Sequence, residues 1–198
     1  MKNFFETLRN IWKINDLRSR IILTLSLILV YRIGCFVILP GVDSNELGGA
    51  TGGLGGLLDL FTGGAFNNAS IFALGIMPYI SASIIMQLAG IAVPAIQKLQ
   101  REGESGRKTI NQWTRYLTII ICFFQAPTYL QTYVYGSGNA VIYDTWLWYV
   151  AAVTILISGT MFVVWIGERI TDKGIGNGIS LLIMIGIIAR FPAALIEE

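Results

Sequence analysis

Five stretches of this chain carry close to twenty mostly apolar residues. That is the length that about 30 Å of hydrocarbon demands of a helix rising about 1.5 Å per residue. They are Ile21–Leu39, Ile71–Val93, Tyr116–Tyr135, Trp146–Gly167 and a less regular one at Gly178–Ile196. The middle three hold no charged residue, whereas the first holds Arg32 and the last Arg190. Only 13% of the 198 residues are charged and 54% are hydrophobic. A soluble domain so poor in charge, against about 25% in ordinary ones, would struggle to cover its own surface. The fold class this predicts is an all-α membrane protein with five transmembrane helices.

Lys and Arg gather on alternate connections, and that asymmetry sets orientation. Lys2, Arg9, Lys13, Arg18 and Arg20 precede the first span. Lys98, Arg101, Arg107, Lys108 and Arg115 fall between spans two and three, and Arg169 and Lys173 between four and five. Residues 40–70 and 136–145 contain Asp43, Glu46, Asp59 and Asp144 but no Lys or Arg. The amino terminus and the loops at 94–115 and 168–177 are therefore expected in the cytoplasm. Within residues 1–20, Phe4, Phe5, Leu8, Ile11, Trp12, Ile14 and Leu17 recur at mixed three- and four-residue spacings between basic residues. This fits an amphipathic helix on the inner leaflet, or an ordinary lead-in helix packed on the bundle.

Catalysis has little to work with. The chain has no His, and Cys35 and Cys122 each sit inside an apolar run. A His relay, a disulfide framework and a Cys zinc site are all unexpected. No nucleophile–base pair suggests an enzyme, and no cofactor is expected.

Several features exceed what a plain bundle needs. Gly48–Gly56 is glycine-rich and leads into a short apolar segment at 54–66, too short to span. It is either re-entrant and buried in protein or laid along the interface. Span two carries Gly75, Pro78, Ser81, Ser83 and Gln87, and span three has Gln125 before Ala126–Pro127. These read either as small-residue helix packing with kinks or as helices lining a pore or gate. Ile76 and Ile80, like Ile179 and Ile183, stand four apart on one helical face. Arg32, past the middle of span one, reaches the outer headgroups or pairs with an acidic or backbone group, Asp59 being the nearest acid. The Gly-rich run before span five lacks the strand and Lys-Ser/Thr pair of a phosphate loop.

Seven stretches then become specific in their order: YRIG (Tyr31–Gly34), PGVD (Pro40–Asp43), FTGGA (Phe61–Ala65), ASIFALGIMPYISAS (Ala69–Ser83), EGESGRK (Glu102–Lys108), TRY (Thr114–Tyr116) and GERITDKGIGNGIS (Gly167–Ser180). From Arg20 to Ile196 the chain resembles the SecY/Sec61 family of protein-conducting channels. The resemblance implies the first half of a ten-helix, pseudo-symmetric channel that opens like a clamshell around an hourglass pore. It puts Ile76, Ile80, Ile179 and Ile183 in the pore ring. It implies a short re-entrant plug helix at 54–66, with Leu57, Leu58, Leu60, Phe61, Gly63, Gly64 and Phe66. Ser81, Gln87 and Gln125 fall on one side of the lateral gate.

It further implies translocation of unfolded secretory proteins and insertion of membrane proteins, in a bacterial inner membrane. The implied companions are SecE and SecG, with the SecA ATPase or the ribosome supplying energy. Signal peptides, nascent polypeptide and lipid would meet the channel, and nucleic acid only through the ribosome. The family is roughly twice this length, so the chain is expected to be the amino-terminal half of a longer protein. Two rivals of other classes are a secondary-transporter half, which needs a polar midplane site, and a structural subunit that only scaffolds a complex.

Overall fold

A computed structural model describes residues 14–43, 47, 54–136, 140–142 and 145–196, with side chains as far as Ala189 apart from that of Leu54. The expected amphipathic segment lies largely outside these residues, as do Gly48–Gly53, Asp144 and the side chain of Arg190. The described elements are helices: α1 (Asn15–Cys35), α2 (Leu54–Thr62), α3 (Met77–Ala92), α4 (Pro94–Arg101), α5 (Glu104–Tyr129), α6 (Trp146–Lys173) and α7 (Gly178–Ile196). A π-helical turn, Leu130–Val134, continues α5. Strand content among the described residues is limited to two isolated bridges, Ile38 with Ser70 and Val42 with Val141.

The boundaries correct the hydropathy reading in several places. α1 starts at Asn15, before the expected span, and stops at Cys35, so residues 36–39 leave the helix. Residues 71–76 are turns, and the helix expected from Ile71 begins only at Met77. Pro78 sits in the first turn of α3, where a missing N–H costs nothing, so it starts a helix and does not kink one. The region 94–115, expected as a loop, is mostly α4 and the start of α5; α6 likewise extends through Lys173 into the expected loop at 168–177. Pro127 lies inside α5, and the run stays helical through Val134.

Val93 explains the break after α3. A residue before proline is driven to extended backbone, and Val93 has φ −109° and ψ 113°. α3 therefore ends at Ala92, α4 restarts with Pro94, and the two axes differ by 101°. Two described helices are long and apolar enough to cross a membrane alone, Glu104–Val134 and Trp146–Lys173; the bent pair α3–α4 makes a third if counted as one span. α1 carries Asp16, Arg18, Arg20 and Arg32, which keep it below that standard.

The non-helical stretch after Ser70 is buried, so its backbone polar groups need partners. They find them across the fold. Leu39 N–H donates to the Ala69 carbonyl and Ile71 N–H to the Val37 carbonyl, each at 2.9 Å. Deep irregular backbone is tolerated only when satisfied by protein in this way. At the same end, Asp43 N–H donates to the Ala140 carbonyl at 2.8 Å and Trp148 Nε1 to the Pro40 carbonyl at 2.7 Å. The two connections without Lys or Arg are thus joined.

α6 is the central helix, packing on α1, α5 and α7, while α3 packs on α5 and α2 on α7. Two apolar clusters hold the bundle. One gathers Leu39, Phe66, Leu74, Leu130, Val134 and Leu156; the other gathers Tyr31, Phe72, Ile76, Val163, Ile166 and Leu182. The outward faces are apolar as well: Leu25, Leu29 and Ile33 on α1, Leu88 and Ile91 on α3, and Phe123 and Phe124 on α5 are all exposed. An apolar exterior of that extent suits lipid and not water.

Candidate functional site

The structure brings the four singled-out isoleucines into one cluster. Ile76 is buried, and Ile80, Ile179 and Ile183 pack partly exposed against the same core. Ile76 occupies the residue just before α3, and its carbonyl accepts from Ile80 N–H at 3.0 Å. The two side chains therefore stay on one side across the helix start. Ile179 and Ile183 sit in the first turns of α7.

Their register is fixed by the glycine-rich turn before α7. Asn177 Oδ1 accepts from the N–H groups of Ile179 and Ser180 at 3.1 and 3.3 Å, which satisfies donors that a helix start leaves orphaned. Gly178 N–H donates to Thr171 Oγ1 at 2.9 Å, and Ile175 N–H to Thr24 Oγ1 of α1 at 3.2 Å. A methyl group on Gly178 would run into the Gly167 carbonyl oxygen, so glycine there lets α7 lie directly on α6. The spacing GERITDKGIGNGIS thus builds a turn knitted by three polar side chains.

α2 packs on α7. It ends at Thr62, earlier than the 54–66 segment expected, and turns follow through Ala69. Gly63 N–H donates to the Leu60 carbonyl at 3.3 Å and Gly64 N–H to the Asp59 carbonyl at 3.1 Å. With Gly63 at φ +65°, this is a Schellman stop, which requires a left-handed residue just past the helix. The paired glycines of FTGGA are explained by that geometry. Asp59 is buried, and its Oδ1 accepts from Asn67 N–H at 2.9 Å, fixing the chain's return. Leu57, Leu60 and Phe61 stand exposed, Leu58 is half-buried, and Phe66 lies in the first core cluster. Tyr129 O–H donates to the Phe66 carbonyl at 2.7 Å.

Arg32 meets the stop of α2. Its Nη1 donates to the Gly63 carbonyl at 3.3 Å, and its guanidinium lies 5.7 Å from the Phe36 ring centre. Of the partners expected for Arg32, the backbone one is therefore present.

The gate candidates divide. Gln125 lines an apolar cavity of about 190 Å³ beside Leu58, Phe66, Leu74, Met77 and Tyr133. Ser81 and Gln87 stand exposed on α3, where Gln87 Nε2 donates to Ser83 Oγ at 3.4 Å. A second, polar cavity of about 170 Å³ lies next to Ile179, walled by Tyr79, Asn111, Arg115, Glu168 and Asp172. Arg115 and Glu168 form a two-pronged ion pair across it. Sequence reading passed over this pair; its signal was opposite charges at matching depth on two neighbouring antiparallel helices. Among the described residues no group of three or more His, Cys, Asp or Glu is placed to hold a metal ion.

Comparison with known proteins follows the same residues. Residues 70–197 match the SecY family model. The chain is 45% identical over 190 residues to the protein translocase subunit SecY of Rickettsia typhi, and 43% over 189 residues to that of Escherichia coli K12. Each alignment covers 92% of this chain but only 44% and 42% of the relative, so the chain spans less than half the length of these curated relatives. Among solved structures, a protein-conducting channel is similar with a TM-score of 0.61 and 21% identity, covering 86% of this chain and 36% of that one. Sec61 in the canine ribosome-channel complex from the endoplasmic reticulum matches with a TM-score of 0.59 over the same shares. At that identity the likeness speaks for the fold.

Proposed function

Because the chain belongs to the SecY family, we propose that it supplies the amino-terminal half of a protein-conducting channel. The channel passes unfolded secretory proteins across the bacterial inner membrane and releases apolar segments into lipid. The observation that carries this reading is the single cluster shared by Ile76, Ile80, Ile179 and Ile183, with α2 packed on α7 beside it. Half a collar of branched apolar side chains is a constriction that sheds water yet offers a sliding peptide no fixed bond. The other half of the collar belongs to the remainder of such a channel.

In this reading α2 and the turn after it are the plug, including Leu57, Leu58, Leu60, Phe61, Gly63, Gly64 and Phe66. α3 and α5, with Ser81, Gln87 and Gln125, are one side of the lateral gate. Five spans, α1, α3, α5, α6 and α7, cross the membrane with the amino terminus in the cytoplasm. The basic ends that contain Lys98, Arg101, Arg107 and Lys108 then face the same side as Arg169 and Lys173. The work comes from partners: SecA or the ribosome drives the chain, SecE and SecG stand beside it, and no covalent chemistry or cofactor is involved.

A photo-reactive residue in place of Ile179 tests the reading, in the full-length complex engaged with a stalled secretory precursor. The expected result is a strong adduct at position 179 and none at Val150, which is exposed on α6. No adduct at position 179 from an engaged complex would remove the collar assignment and favour a scaffold.

A further inference from the structure

The contact between Arg32 and Gly63 has no counterpart in the roles proposed above. A guanidinium within an apolar run is costly, and it persists where something compensates it. Here the acceptor is a carbonyl just past the last turn of α2. The free carbonyls at a helix end carry a partial negative charge, so a cation placed there is stabilised. Phe36, just past the end of α1, presents its ring to the guanidinium. The site is also closely fitted. A methyl group on Gly63 would stand 2.6 Å from Arg32 Nη1 and 3.0 Å from Gly186 Cα on α7. Cys35, one turn from Arg32's own level, has its Sγ 4.0 Å from the Thr62 carbonyl, so α1 follows the end of α2 over two contacts.

We propose that Arg32 is the positioning residue of the plug: its charge docks on the carboxyl end of α2 and holds that helix in the closed channel. This rests on the reading of α2 as plug. The hold is a charge-assisted hydrogen bond to backbone, so it does not depend on which side chains the exposed face of α2 carries. It breaks when a translocating chain lifts α2, leaving Arg32 to turn towards headgroups and water, where it is solvated again. Closure is thereby biased without a fixed knob to unseat.

The test uses the full-length, companion-bound complex in vesicles, reading resting ion conductance and the yield of a translocated precursor separately. Arg32→Gln is expected to raise resting conductance about tenfold, the shift given by losing one hydrogen bond to a charged group. Precursor yield should stay at or above that of the unsubstituted complex. Arg32→Lys, which keeps the charge, should recover most of the closure. Unchanged conductance in Arg32→Gln overturns the proposal, as does equal leak in the Gln and Lys variants. Should Arg32→Gln fail to assemble, Gly63→Ala enters the same contact from the other side, and an unaltered conductance there overturns it too. Failure of the plug reading is separate: deleting residues 54–66 would then leave conductance at the level of the unsubstituted channel.

Discussion

Arg115 of α5 and Glu168 of α6 face each other fork to fork, with Nε donating to Oε1 at 2.8 Å and Nη2 donating to Oε2. Planar two-point pairing fixes angle as well as distance, so the pair sets how α5 sits on α6 beside Ile179. Arg115 is nearly half exposed at 47%, against 17% for Glu168, so water screens part of the gain. Glu168→Gln is expected to cost about 1 kcal/mol, read as a drop of a few degrees in the melting temperature of the purified complex. Exchanging the charges, Arg115→Glu with Glu168→Arg, should regain part of that loss. A double variant as unstable as the sum of its parts would show that the pair is not coupled.

Asn177 should matter through its side-chain oxygen and not its bulk. Asn177→Ala removes the acceptor for Ile179 and Ser180 N–H and should cost about 1 kcal/mol, while Asn177→Asp should cost much less. Amide hydrogen exchange at Ile179 and Ser180 would report it directly, faster in the Ala variant alone.

Two glycines of the same turn should respond in opposite degree. Gly176 has φ +73° and nothing within 4 Å of a would-be methyl group, so Gly176→Ala meets only the left-handed backbone, about 1 kcal/mol. Gly178→Ala drives a methyl group at the Gly167 carbonyl and forces α6 and α7 apart, at roughly 2 kcal/mol or more. Thermal unfolding in detergent would rank them, and equal effects would remove the close α6–α7 approach from the explanation.

Tyr129→Phe should loosen the return from α2. The hydroxyl donates to the Phe66 carbonyl, which Ala69 N–H also meets at 3.3 Å, so its loss removes one buried hydrogen bond, for about 1 kcal/mol. Exchange of the amides at 66–70 should quicken while those of α6 stay protected. Uniform quickening would mean global destabilisation instead.

The apolar runs were legible because burial in lipid leaves an unbroken signal, and the order of the motifs carried the family. What hydropathy could not see were breaks inside those runs. Residues 71–76 are as apolar as a helix, yet their neighbours bond to residues 37–39 across the fold, a pairing that only the tertiary structure reveals. Pro78 looked like a kink because its place relative to the helix start depends on that same break. The bend at Val93–Pro94 was open to local reasoning, since the pre-proline rule alone predicts it. The packing of Ile179 depends on helices distant in the chain, and the cap that Asn177 gives α7 was passed over although it lies within its own turn. Arg32 was visible as an anomaly, while its partner, a carbonyl, has no letter in the sequence.

Gly63 and Gly186 bring two backbones together with no side chain between them. Most helix contacts interlock, and separating them means withdrawing each side chain from its socket. A bare glycine seam has nothing to withdraw. It gives a smooth bearing surface, along which α2 lies directly on the backbone of α7, and the same two residues set how close the two helices come.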